Sequence, residues 1–417
     1  TYTGVGANPD HVYRLARNDQ WNTTNLNTTY DLTINDFHKF KFMAGMNSVS
    51  WNWAQNSSQI TQLVDYGNPQ FNLAYGTQTA GGDEYQESQL GFFGRVNYGF
   101  KDKYLLEGNL RYDGTSKFPG DLKWRYFPSF SLGWRINEET WMEWSKSFMS
   151  ALKARGSWGT IGDQSVPNSL YEPTMTGSTN TWLVSGARVY QFGTPSAVSS
   201  SVTWQDITTL DLGLDGRFFN SELGFTFDWY RRDTENMIVP LEGIPLTFGT
   251  GAPQSNYGSL RTNGVELQLD YNHRFKNGIG INLVATFADS ETKITKYGTT
   301  NSIGTITSPS WYVGRTYGEI WGYETDRLYQ KSDFVYDASG KLIKVTSKDG
   351  FQVYQLADAN AATQGKLQAG NFVFGPGDVK FKDLNGDGVI NDGNRLLRNA
   401  NGDPDYGDLK KIGNSTR

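Results

Sequence analysis

Asp383, Asn385 and Asp387 stand at alternate positions of a glycine-bearing turn, the spacing that brings hard oxygen ligands to one cation. The segment 383–394 begins like an EF-hand loop. Gly388 falls where that loop turns sharply, the Val389 carbonyl would be the next ligand, and Ile390 is the apolar anchor. The twelfth position is Asn394 rather than a bidentate Glu, which leaves Asn391 or Asp392 to close the shell. Ca²⁺ is the expected ion, held weakly, at about the millimolar level of extracellular sites. No convincing helix flanks the loop and no second copy occurs, so neither a sensor nor a dockerin module is expected. The competing reading is an Asp/Asn/Gly turn without metal.

A second set of residues is aromatic. Trp51, Trp53, Trp182, Tyr190, Trp204 and Trp311 fall in polar connections, where flat rings could stack on sugar. Loop packing or a belt at a membrane interface is the plainer explanation of any one of them. Other chemistry is thin. There is no cysteine, which excludes disulfides, thiol nucleophiles and Cys-ligated zinc. His11, His38 and His273 are far apart and lack metal-ligand spacing. No phosphate-binding glycine loop, nucleophile elbow or His-Glu-x-x-His occurs. Nothing singles out a glycosidase pair among the many carboxylates. No catalytic residue is assigned, and the chain is expected not to be an enzyme.

The elements that must carry these residues are strands. From Tyr104 to Asp113, Tyr104, Leu106, Gly108, Leu110 and Tyr112 share one face, while Leu105, Glu107, Asn109, Arg111 and Asp113 share the other. A period of two sends alternate side chains to opposite faces of a sheet. The pattern recurs in pairs around short turns: 29–34 with 40–49, 90–100 with 104–112, 207–217 with 223–230, and 265–275 with 279–287. The run 124–136 is a further strand, followed by a short amphipathic turn of helix at 137–150 and a strand at 152–158. About eleven or twelve strands are expected. Long polar connections lie between the hairpins, at about 52–88, 162–203, 239–256 and 293–311. Short turns on one side and long loops on the other suit a transmembrane barrel, apolar toward lipid and polar toward a wet lumen. An ordinary antiparallel sheet with one solvated face gives the same alternation.

Composition bounds these choices. Of 417 residues, 19% are charged and 37% hydrophobic, which favours neither disorder nor a helical membrane protein. No apolar run is long enough for a membrane helix. Aromatic residues at 14% and 47 glycines suit an outer-membrane barrel, but also a lectin or propeller. The net charge of −5 gives no reason to expect nucleic acid. No fixed-length repeat supports a propeller or solenoid.

Several stretches resemble one family. These are Gly91-Phe92-Phe93-Gly94-Arg95-Val96-Asn97-Tyr98, the run from Lys103 through Tyr112-Asp113-Gly114-Thr115-Ser116-Lys117-Phe118, Tyr126 to Arg135, Leu152 to Gly159 with Gly162-Asp163-Gln164, 256–267, and 378–392. In this order they resemble the barrel of SusC/RagA-type TonB-dependent transporters. The resemblance implies an all-β fold: an antiparallel transmembrane β-barrel, 22-stranded when complete, with long extracellular loops. It also implies an outer membrane of a Gram-negative bacterium, contact with outer-membrane lipid, energy from TonB, and a SusD-like surface lipoprotein. The cargo would be oligosaccharides or peptides. Residues 1–417 correspond to the middle and later barrel, and the plug domain, TonB box and last strands of the family pattern are not found in them. Two other readings stand beside it: a secreted Ca²⁺-dependent glycan-binding or glycan-cleaving β-protein, and a barrel acting mainly as a docking scaffold.

Overall fold

A computed structural model describes residues 2–7, 10–168, 170–241, 244–297, 311–393 and 405–414. The chain folds as two compact units, Thr1–Tyr257 with Asn263–Ala288, and Gly258–Thr262 with Asp289–Arg417. The strands in order are β1 (Tyr2–Ala7), β2 (Asp10–Ile34), β3 (His38–Thr61), β4 (Gln78–Phe100), β5 (Tyr104–Thr115), β6 (Trp124–Arg135), β7 (Met149–Asp163), β8 (Gly177–Val184), β9 (Ala187–Phe192), β10 (Gln205–Phe218), β11 (Leu223–Pro240), β12 (Gln254–Arg274) and β13 (Gly280–Lys296). All but β8 and β9 form one eleven-stranded sheet in chain order, with β7 beside β10. The antiparallel registers run unbroken through β2–β3, β3–β4, β4–β5 and β5–β6. Such a meander satisfies the backbone locally and sends every second side chain to the same face. The all-β, antiparallel expectation is met. Among the described residues no helix is long and apolar enough to cross a membrane.

The hairpins turn tightly at one end. Asn35, Asp36, Lys101, Asp102, Phe219, Asn220 and Ser221 all have positive φ, the left-handed conformation that tight turns demand. The longest turn at this end, between β6 and β7, contains the 3-10 segments Ile136–Glu138 and Thr140–Ser147. They stand where the sequence predicts a short helical turn.

The polarity of the two faces exchanges part-way up the strands. Near the turns one face is apolar: Leu26, Tyr30, Leu32 and Ile34 on β2, Phe40, Phe42, Ala44 and Met46 on β3, and Leu90, Phe92, Val96, Tyr98 and Phe100 on β4. Tyr104, Leu106, Leu110 and Tyr112 of β5 and Phe130, Leu132 and Trp134 of β6 continue it. These side chains do not meet in a dry centre: Leu106 is 44% and Leu110 49% exposed. Beyond this band the same rows become polar, with Asn22 and Gln20 on β2, Ser48, Ser50 and Asn52 on β3, and Ser88, Gln86 and Glu84 on β4. The opposite face does the reverse. It is mostly polar beside the band, with Met43, Phe93 and Leu105 among the polar residues, and beyond it carries Trp21, Trp51, Trp53, Tyr85 and Phe127.

This exchange explains two departures from expectation. The segment 52–88 is not one long irregular connection, since β3 continues to Thr61 and β4 starts at Gln78. Likewise β2 is a 25-residue strand, of which only 29–34 alternates recognisably. Beyond the band one row is polar and the other aromatic or mixed, so the apolar–polar signal fades while the ladder continues. The connection 162–203 holds the hairpin β8–β9. Of the connection 293–311, residues 298–310 lie outside the described set.

Packed cores sit at the loop end. Val12, Ile60 and Leu63 form one, with Phe71 and Ala74 against it. Phe118, Phe127, Val202 and Trp204 form the other. Trp204 is 3% exposed and donates its indole N–H to the Lys123 carbonyl at 2.9 Å. The ring expected to stack on cargo is buried because Phe118 and Phe127 fold over it, at centroid distances of 5.6 and 5.4 Å.

The second unit contains the short strands β14 (Glu319–Tyr323), β15 (Thr325–Leu328), β16 (Lys344–Thr346), β17 (Gln352–Tyr354), β18 (Val379–Phe381) and β19 (Leu409–Asn414), paired β14–β19, β15–β18 and β16–β17. Glu324 lies between β14 and β15 and takes Lys382, just past β18, and Lys410 of β19, the latter at 2.7 Å. The two ammonium groups pull its carboxyl down to about 2.

Two outcomes follow from these contacts. Trp204→Ala should cost about 3–5 kcal/mol, while Trp182→Ala, at a 76% exposed site, should stay within about 0.5 kcal/mol; urea unfolding midpoints compare them. Because the folded pKa of Glu324 is depressed, its stabilising effect is full above the ordinary carboxylate range and fades as pH falls toward 2. An NMR titration of the Glu324 carboxyl should therefore show a midpoint near 2, and an ordinary midpoint would refute the bridge.

Candidate functional site

The polar face beside the apolar band carries hydrogen-bonded clusters of charged and amide side chains. Arg95 on β4 donates to Asn109 on β5 at 2.6 Å, and Asn109 donates to Glu107 at 2.8 Å. Glu107 also accepts from Asn97. Further along, Arg155 of β7 reaches Asp211 and Asp215 of β10, each at 3.2 Å, and Asp228 of β11 at 2.5 Å. Arg217 pairs with Asp270 across β10 to β12. Gly213 makes the Arg155 cluster possible, because a Cβ there would stand 2.5 Å from the Arg155 guanidinium carbon and 2.6 Å from an Asp228 oxygen. This face is charged but internally paired. It can present alternating donors and acceptors to a polar solute, and among the described residues it shows no nucleophile–base pair.

Beyond the band on this same face, the registers gather aromatic residues. Trp21 lies opposite Trp51, and Trp53 opposite both Asp19 and Tyr85. Ring centroids are 5.5 Å apart for Trp21–Trp51, 5.0 Å for Trp51–Tyr85 and 5.9 Å for Trp53–Tyr85, the last pair lying 6° from parallel. The Arg17 guanidinium sits 4.2 Å from the Trp53 ring centroid, held there by two bonds to Asp19 at 2.8 Å. Arg17, with a hydrogen bond from Trp51 adding, holds the Asp19 carboxyl below its usual range. Glu87 accepts from the Tyr85 hydroxyl at 2.6 Å and from Gln89 at 2.9 Å, and pairs with Lys117 at 3.3 Å. Burial and this carboxylate push the Tyr85 phenol up to about 12, so it stays a neutral donor.

The structure brings Trp51 and Trp53 together and scatters the other aromatic candidates. Trp182 and Tyr190 stand exposed on the β8–β9 hairpin. Trp204 is core, as described above. Trp311, in the second unit, stacks on Tyr317 at 5.3 Å. Sequence reasoning missed Trp21 and Tyr85 as partners. A signal existed: Trp21 and Trp51 are equidistant from Asp36 at the centre of the β2–β3 turn.

The loop 383–394 is described as far as Gly393. Gly386 and Gly388 take φ of 75° and 83°, which only glycine adopts readily. The Asp383 oxygens accept the N–H groups of Gly386 at 2.7 Å and Gly388 at 2.9 Å. Asp387 accepts from Val389, and Asn385 from Asp387. The Asn391 amide donates to the Val389 carbonyl and accepts from Gly393. Asp392 is exposed, and Asn394 lies outside the described residues. Asp408, which the sequence did not single out, is fully buried and accepts from Leu384 at 2.7 Å and Asn391 at 2.8 Å, tying both ends of the loop. Burial pushes its carboxyl up, and the charge of Asp383 adds to this. Among the described residues no three His, Cys, Asp or Glu side chains converge as a ready-made metal site. The loop therefore offers two carboxylates plus amide and carbonyl oxygens, a weakly charged donor set.

Comparison with known proteins places this geometry. A family model described as TonB dependent receptor-like, beta-barrel matches residues 1–396. TonB-dependent receptor P39 of Formosa agariphila is 26% identical over 406 residues, covering 90% of this chain and 36% of its own length. TonB-dependent receptor SusC of Bacteroides thetaiotaomicron is 32% identical over 184 residues, covering 43% of this chain and 18% of its own. The chain thus spans about a third or less of the curated relatives it matches. The solved RagAB peptide transporter superposes with a TM-score of 0.69 at 19% identity, over 78% of this chain and 36% of that one.

Proposed function

Since the chain belongs to the TonB-dependent receptor-like β-barrel family, we propose that it forms part of the wall of an outer-membrane importer. The whole protein would work with TonB and a SusD-like surface lipoprotein and carry oligosaccharides or peptides inward, without bond chemistry. The observation that carries this reading is the exchange of polarity along the strands. The apolar rows extend nine to eleven residues from the tight turns, as on β2 (26–34) and β4 (90–100). That is the length a tilted strand needs to cross hydrocarbon. Beside the band, the other face is the paired polar wall of a wet lumen. A water-soluble β-protein would have to cover Phe42, Leu110, Phe130 and Leu132 with a second layer. All four are exposed.

The tight turns would then face the periplasm and the longer connections the outside. The millimolar Ca²⁺ of an extracellular site is the supply that suits the weakly charged donor set of the loop 383–392. We propose that Asp383, Asn385, Asp387 and the Val389 carbonyl hold Ca²⁺ there, with Asn391 or Asp392 completing the shell. The glycine-shaped turn and the desolvated Asp408 carboxylate support this: a cation would offset negative charge concentrated near Asp383.

Leu110→Arg should destabilise the membrane-inserted protein by about 2–4 kcal/mol, with Ser131→Arg on the polar face, opposite Glu107, much milder. Folding into lipid vesicles, read by heat-modifiable gel mobility, measures both. Equal penalties would count against the lipid-facing assignment. Extraction by salt wash without detergent would refute membrane insertion outright. For the loop, Asp383→Ala with Asp387→Ala should abolish a Ca²⁺-dependent rise in Tm, and a rise that survives both changes would refute the calcium proposal.

A further inference from the structure

The aromatic cluster on β2–β4 has no role in crossing the bilayer. The rows behind it, Gln20 and Asn22, Ser50 and Asn52, Glu84 and Gln86, are polar, so no hydrocarbon lies at that level. Nor is it a closed core. Trp21 is 63% exposed, and Trp51, Trp53 and Tyr85 are only half-buried. Four rings in contact on a hydrated face retain apolar surface that a ligand could cover.

We propose that Trp21, Trp51, Tyr85 and Trp53 form a carbohydrate-binding ladder on the inner wall of the barrel mouth, taking a chain of several pyranose units. The proposal deepens the importer reading and rests on it for the placement of the ladder at the mouth. The spacing fits: successive centroids stand 5.5, 5.0 and 5.9 Å apart, steps comparable to one sugar ring. The chemistry fits as well. Flat rings offer π-faces to sugar C–H groups, while planar polar groups beside them address hydroxyls. Asp19 and Arg17 flank Trp53, Glu87 and Gln89 flank Tyr85, and Gln55 lies on the same row as Trp53. Their mutual bonds hold these side chains in place before a ligand arrives, which lowers the entropy cost of binding.

A peptide would bind differently. It would add as a strand to a free sheet edge, and residues 78–88 of β4 pair with β3 but not with β5. That edge is blunted. It carries Gly81-Gly82 and Asp83-Glu84, and the Asn168 amide already donates to the Gln86 carbonyl. The ladder of ring faces, rather than the strand edge, is therefore the stronger recognition surface.

The test uses the full-length protein with its partner chains, purified from outer membranes. Calorimetry would measure binding of a panel of neutral and uronate-containing tetra- to hexasaccharides, and of a tryptic peptide pool. At least one glycan should bind. Trp53→Ala and Trp51→Ala should each weaken it about tenfold or more, Trp53→Phe should recover part of the loss, and Trp182→Ala should change nothing. Trp21→Ala, at the most exposed ring, keeps the test valid if an inner substitution prevents folding. The ladder is refuted if no glycan of the panel binds, if binding is unchanged in the alanine variants, or if only peptides bind. Cargo uptake by cells separates the two claims. Normal uptake in the tryptophan variants removes the ladder and leaves the importer standing. Release of the protein by salt wash removes the importer, whereas the calorimetric loss on Trp→Ala still reports glycan stacking.

Discussion

A strand that crosses hydrocarbon must satisfy two conditions at once. Its backbone must be paired along its whole length, and the face toward lipid must be apolar only as far as the lipid extends. The eleven-stranded sheet meets both. Registers run unbroken from β2 through β6, so each strand holds its neighbour's row in place. One face is apolar from Ile34 to Leu26 and from Phe100 to Leu90, then becomes polar. The remaining features depend on this boundary.

Inside the band, charged side chains on the lumen side face one another across strands rather than isolated in the wall. Arg155 shared among three aspartates shows how: the register places Gly213 beside it, and the missing side chain leaves room for the guanidinium. Above the band, both faces meet water, and apolar residues are free to occupy the inner row. Some are used for packing, as where Phe127 closes on Trp204. Others, on β2–β4, remain half-open and carry hydrogen-bonding partners at their edges. One physical boundary thus separates the part of the wall that spans lipid from the part suited to recognition.

The same boundary decides what the sequence reveals. The strand at 104–113 is legible because Tyr104, Leu106, Leu110 and Tyr112 alternate with Glu107, Asn109 and Arg111. The upper part of β2 is not. Asn18, Gln20 and Asn22 on one row and Asn25 and Asn27 on the other give no contrast, though the ladder to β3 continues. Trp204 reads as a loop aromatic because it follows a Ser- and Thr-rich run, yet its partners lie far upstream, Phe118 in the β5–β6 connection and Phe127 on β6. Trp51 and Trp53 were visible as candidates, but their grouping with Trp21 and Tyr85 needs register, which composition does not carry. In the loop at 383, ligand types were legible from spacing. The clamp by Asp408 was not, because it depends on a fold-back of the chain after the loop.

The level at which lipid ends along β3 decides the rest. A single nitroxide label can be placed at Phe42, Met43, Ser50 or Trp51 through a cysteine introduced there, in full-length protein in lipid vesicles from which any cysteine outside these 417 residues has been replaced; the 417 residues themselves contain none. The label's accessibility to oxygen and to a water-soluble nickel reagent then reports the surroundings of each position. A lipid boundary between Phe42 and Ser50 gives an oxygen-accessible, nickel-protected label at Phe42 alone, with nickel-accessible labels at Met43, Ser50 and Trp51. The same nickel accessibility at Phe42 as at Ser50, or a lipid signature at Ser50, would contradict it.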